Sequence, residues 1–156
     1  MMTLSAAAMV TASAPARPAP QPAASPILGQ WTLDTGSMTI PVEGRPASVT
    51  AEFADGGAGI WNTTYVITAK DGSARRMTSR ERLDGKAVAI AGDQTDYDSV
   101  AMTSPAPGVL VMGLSKSGTL GSVRVYTVSA DGREMIESAT IVGDGKPSVN
   151  RFRWVR

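Results

Sequence analysis

The chain has 156 residues with 15 Lys and Arg against 14 Asp and Glu, a net charge of +1, so no global charge draws it to nucleic acid or to an anionic membrane. It contains neither Cys nor His, which excludes Ser-His-Asp and Cys-His catalysis, thiolate chemistry, zinc sites of the usual nitrogen and sulfur kind, and histidine pH switching. The length fits one domain plus a tail, and no run of about 20 apolar residues exists to span a membrane as a helix.

The first 26 residues differ in composition from the rest. Met1 to Val10 is small and mildly apolar and is followed by Ala12-Ser13-Ala14, an A-x-A pattern of the type cut by signal peptidase, although no Lys or Arg precedes it. Prolines 15, 18, 20, 22 and 26 then stand among alanines, which reads as an extended linker. Residues 1–26 are therefore expected to be a signal-peptide remnant plus linker, residues 27–156 the folded domain, and the location periplasmic or secreted. A tail retained in the cytoplasm is the alternative.

From Gly29 onward the chain predicts about ten strands: 30–34 (with an extension to 40 left open), 47–54, 59–70, 73–83, 87–91, 97–104, 108–115, 120–129, 133–142 and 147–155. They are rich in Val, Ile, Thr and Tyr and are punctuated by five Asp-Gly pairs at Asp55, Asp71, Asp84, Asp131 and Asp144. Asp-Gly suits tight hairpins in which both central residues take positive φ. No stretch of useful length has helical periodicity. The expected fold is all-β, an antiparallel up-and-down meander that closes into a barrel of about 8–10 strands to hide its edges.

Alternation assigns the faces. Val49, Ala51 and Phe53 share one face, as do Trp61, Tyr65 and Ile67, and as do Phe152 and Trp154. Arg76, Arg80 and Arg82 point outward as a charged rib that deters aggregation, with an anion or partner patch as the alternative. Arg75 and Glu81 share the inner face with Met77 and Leu83. Because an isolated buried charge is costly, they are expected near the strand ends, in reach of water, with burial beside a ligand as the alternative.

Leu28-Gly29-Gln30-Trp31 opens the first strand and Arg156 closes the last beside Trp154. This resembles the calycin superfamily of lipocalins, fatty-acid-binding proteins and bacterial lipocalin-like barrels. There, a G-x-W plugs the closed end and a basic side chain from the chain end stacks over the Trp. The resemblance implies a barrel-closing role for Gly29, Trp31 and Arg156, with a cation–π contact of ~0.5–2 kcal/mol. Over residues 28–156 the chain is similar, more specifically, to small exported lipocalin-like proteins of proteobacteria, through Gly29 to Asp34, Asp96 to Val100 and Val128 to Met135. Many fatty-acid-binding proteins end in an R-x-Y that clamps a carboxylate; here Phe152 occupies the place of that Arg. Arg124-Val125-Tyr126 offers another Arg-x-Tyr on one face, which faces the lumen unless Val123 and Val125 do.

Three functions are compatible with these residues. The first is a carrier of a small apolar or amphipathic molecule in the bacterial envelope, without cofactor or metal, with Trp61, Tyr65, Arg124, Tyr126, Phe152 and Trp154 as candidate ligand-binding residues. The second is an accessory module whose inner aromatics simply fill the core. The third is a cofactor-independent barrel isomerase, lyase or cyclase, which requires an inward carboxylate of raised pKa close to Tyr97 or Tyr126. Asp96 and Asp98, two apart on an expected strand, with Asp93 near, are the densest acidic group, suited to general-base work, to a hard cation or merely to capping a strand mouth. No catalytic residue is assigned, and oligomeric state is not legible.

Overall fold

The computed structural model describes residues 24–142 and 146–156; the A-x-A pattern, most of the linker and the Asp144-Gly145 turn lie outside them. The chain runs through β1 (Gly29–Leu33), β2 (Ser48–Asp55), β3 (Trp61–Thr68), β4 (Ala74–Glu81), β5 (Val88–Ala89), β6 (Ala91–Gly92), β7 (Ser99–Ala106), β8 (Val109–Lys116), β9 (Thr119–Val128), β10 (Glu134–Ile141) and β11 (Ser148–Val155). All pairings are antiparallel, and the sheet order is β5-β7-β8-β9-β10-β11-β1-β2-β3-β4-β6. This is the expected meander, wrapped into a nearly closed barrel by the pairing of β1 with β11.

The expected strand over 87–91 is two short pieces instead. Val88 and Ala89 pair with β7, whereas Ala91 and Gly92 pair with β4. The chain changes partner at Ile90, whose side chain is buried in the core. Both ends of the sheet thus lie in one five-residue stretch, whose two pieces pair with β7 and β4 over two residues each.

The hairpins differ from expectation in a specific way. In the β9–β10 turn, the Gly132 amide donates to Ser129 O at 2.9 Å, and only Gly132 has positive φ, +73°. Asp131 instead accepts the Arg133 amide on Oδ1 at 3.1 Å. The β3–β4 turn repeats these bonds at Asp71-Gly72. These are longer loops in which Asp closes an Asx turn and Gly alone takes the left-handed position. The two-residue turn with both φ positive occurs at Ser117-Gly118, between β8 and β9.

An extension of β1 to residue 40 does not form. The Asp34 carboxylate accepts the Gly36 amide at 3.1 Å and starts a 3-10 turn over Thr35–Ser37, followed by another over Val42–Gly44. Arg45 fixes this segment by donating to the carbonyls of Gly36, Met38 and Ile40. No described helix is long and apolar enough to cross a membrane.

Facing follows the alternation read from the sequence. Val49, Ala51 and Phe53 are buried, while Arg76, Arg80 and Arg82 are exposed. At one end the barrel is plugged. Trp31 is fully buried, donates Nε1–H to Ile27 O at 2.8 Å, and lies under the Arg156 guanidinium, 4.1 Å from the ring centroid. Arg156 also donates to the carbonyls of Pro26, Leu28 and Gly132. Gly29 is required beneath it: φ is +120°, and a Cβ there would stand 3.0 Å from Arg156 Nη1. Gly29, Trp31 and Arg156 therefore meet at one end of the barrel.

Candidate functional site

Above the plugged end a cavity of about 600 Å³ opens at the other end of the barrel. Its walls are built by inward positions of nearly every strand: Leu33 and Val49, Ile67 and Met77, Met102, Met112 and Leu114, Ile141 and Phe152. The segment after β1 forms part of the rim through Met38, Glu43, Arg45 and Pro46, with Lys70 and Asp96 beside it. This is the composition of a small-molecule site, apolar walls with a few polar groups.

The charged groups away from the rim, Arg124 and Glu137, lie on one wall. β9 and β10 pair in a register that sets Arg124 opposite Ala139 and Tyr126 opposite Glu137. Val125 is 36% exposed while Tyr126 is fully buried, so Arg124 and Tyr126 take the inner face. Arg124 Nη1 donates to Glu137 Oε1 at 3.1 Å. Trp154 Nε1 donates to Glu137 Oε2 at 2.9 Å. The Tyr65 hydroxyl donates to the Tyr126 hydroxyl at 3.0 Å, and the latter donates to Met112 Sδ at 4.0 Å. Two buried side-chain atoms among the described residues have no hydrogen-bond partner, Arg124 Nε and Ser122 Oγ.

Burial governs the titration of this cluster. It pushes the Glu137 carboxyl above its ordinary range, against the opposing pull of Arg124 and the bond from Trp154. It likewise raises Tyr65 and Tyr126, helped by the nearby Glu137 charge. For Arg124 burial acts downward, but Tyr126, Glu137 and Tyr65 outweigh it and the guanidinium is held in its charged form.

The six candidate ligand-binding residues divide. Tyr65, Arg124, Phe152 and Trp154 line the cavity. Trp61 does not: β3 places it beside the plug, tilted against Phe53 with ring centroids 6.3 Å apart, because it opens the strand at the closed end. Tyr126 lies beneath the cavity, edge-on to Phe53 at 6.3 Å, with only its hydroxyl turned to the polar cluster. Edge-on contacts of Phe53 with Tyr65 and of Tyr65 with Trp154 complete this floor.

Two further expectations need correction. Glu81 does not reach water. It is 1% exposed, accepts from Thr63 Oγ1 at 3.2 Å and from Ser79 Oγ, and its pKa is raised by burial. Arg75, by contrast, does sit at the rim, bonded to Asp96 at 2.9 Å. Asp96 and Asp98 are not a strand pair, because β7 begins only at Ser99. Asp96 takes Arg75, whereas Asp98 accepts the Ser117 amide at 2.7 Å and caps the β8–β9 turn. Among the described residues no three acidic side chains gather as a metal donor set.

Sequence reasoning missed Glu137, the acidic centre of the site. The signal was present, since Glu137 shares parity with Met135 and Ala139 on a strand whose inner face is otherwise apolar.

No protein-family profile and no curated protein matches the sequence. Two solved structures share the architecture. Zebrafish ileal bile acid-binding protein complexed with cholic acid has a TM-score of 0.53 and 15% identity, covering 85% of this chain and 99% of its own. The fluorescent protein UnaG has a TM-score of 0.54 and 12% identity, covering 83% and 96%. At such identities the likeness shows the fold alone, an antiparallel, nearly closed β-barrel.

Proposed function

We propose that this chain is a small-molecule carrier of the bacterial envelope, holding an apolar or amphipathic ligand in the barrel with no cofactor. One observation carries the reading: an apolar cavity of about 600 Å³ with a buried polar cluster around Arg124 and Glu137 on its wall. A filled-core accessory module has no use for such a space, because native interiors close-pack and voids are costly. The zebrafish neighbour, complexed with cholic acid, supports an amphipathic ligand by analogy of fold. Placement in the envelope rests on Ala12-Ser13-Ala14, on the Ala/Pro linker and on the resemblance to exported lipocalin-like proteins. N-terminal sequencing of the mature chain checks it, and an intact Met1 argues against export.

Glu137 beside Tyr126 meets the requirement for a barrel enzyme, an inward carboxylate of raised pKa. Both its oxygens already accept hydrogen bonds, one of them from Arg124. That arrangement suits a fixed polar anchor better than a free base.

The test is native mass spectrometry of the folded chain from its own host, before and after organic extraction. A discrete, extractable adduct is expected. Folded protein without an adduct, which also fails to take up added amphiphiles, overturns the carrier reading.

A further inference from the structure

Granting that the cavity holds a small molecule, its polar wall restricts what the buried end of that molecule can be. Arg124 is the cation on this wall, and Glu137 neutralises it at 3.1 Å. The other Glu137 oxygen takes the Trp154 indole N–H, so both carboxylate oxygens already have donors. The two tyrosine hydroxyls spend their protons on each other and on Met112. What remains on offer is the rest of the guanidinium. Of its five N–H groups, one bonds Glu137 and the Nε–H is buried, so the donors left are those of Nη1 and Nη2, on a side chain that keeps 23% of its surface exposed. The wall therefore presents unpaired donors while carrying no net charge.

We propose that the buried end of the site takes a neutral hydrogen-bond acceptor, such as the carbonyl of an ester, amide or ketone, and discriminates against a carboxylate. An acceptor oxygen lying on Arg124 completes a donor set that is otherwise unpaired, which a site rewards strongly. A carboxylate in the same place brings a second anion next to Glu137, among Trp154, Ala139 and Met112, where screening by water is weak. The other charged groups on the cavity lining, Glu43, Arg45, Lys70 and the Arg75–Asp96 pair, lie at the rim, where an anionic end of an amphipathic ligand is solvated.

The inference is tested by titrating two probes of equal chain length, dodecanoate and methyl dodecanoate, into the full chain at neutral pH with calorimetric detection. The ester is expected to bind at least about tenfold more tightly. Glu137→Gln keeps an acceptor for Trp154 but leaves Arg124 without its counter-charge, so it should reverse the order. Tighter binding of dodecanoate by the natural protein overturns the inference and leaves the carrier reading intact. So does a Glu137→Gln protein, folded by circular dichroism, whose preference is unchanged. If that variant does not fold, Arg124→Gln replaces it and should lose affinity for the ester. Failure of both probes to bind the folded natural protein overturns the inference together with the reading beneath it.

Discussion

The same strands serve both ends of this barrel, and their inward positions change character between them. At the plugged end β2 contributes Phe53, β3 Trp61, β9 Tyr126 and β10 Met135; toward the mouth the same strands contribute Val49, Ile67, Ser122 and Ala139. Side-chain volume falls from plug to mouth at these positions, which leaves room for the cavity. At the plug a cation is satisfied by carbonyls and an indole face, in Arg156 over Trp31. In the cavity another cation, Arg124, is matched by a carboxylate and keeps donors to spare. One arrangement is finished, whereas the other has room for a partner.

Substitutions at the two ends should then have separable effects. Phe53→Ala removes a buried ring that touches Trp61, Tyr65 and Tyr126, and should cost ~3–5 kcal/mol of stability by urea unfolding. Ile67→Ala, on the cavity wall, should cost clearly less, since its neighbours already face space. Equal costs would mean that the mouth half is packed like the plug. Arg124→Met strands Glu137 without its cation and should cost about 1–3 kcal/mol, less than for a fully buried pair because Arg124 is partly open to solvent. Adding Glu137→Met should restore much of that loss, and strict additivity would argue that the two do not act as a pair.

Arg156→Ala gives up the cation–π contact and three hydrogen bonds at an exposed side chain, for about 1–2 kcal/mol, and should leave ligand binding unchanged. A change in ligand affinity there would show that the two ends are coupled. Glu81→Gln has its effect through pH. The folded-state pKa of Glu81 lies above the unfolded one, so the native state keeps its proton longer, and stability falls as pH rises through the window above about 4.3. The Gln variant should show a shallower fall on the alkaline side of that window; parallel curves would mean that Glu81 is solvated.

Much of this architecture was legible because it rests on local rules. Alternation placed Phe53, Phe152 and Trp154 inward and Arg76, Arg80 and Arg82 outward. What alternation does not encode is height along the barrel axis. Trp61 and Tyr65 share a face, yet one supports the plug and the other walls the cavity, because they sit four residues apart along a strand that crosses both. Glu137 escaped notice for a related reason: its partner Arg124 is adjacent only through strand register, which depends on the whole meander. The acidic stretch around Asp96 misled in the opposite direction, since carboxylates close in sequence turned toward Arg75 and toward the Ser117 amide.

The central claim is that the mouth half of the barrel is open space that a ligand occupies. Ala139→Phe tests it directly, since residue 139 lines the cavity beside Arg124 and a ring there should fill the void without touching the plug. Titrated with methyl dodecanoate, the natural chain should bind one equivalent, and the Ala139→Phe protein, with unfolding temperature equal or higher, should bind none. Undiminished binding by a folded Ala139→Phe protein would contradict the account, because the ligand would then sit elsewhere.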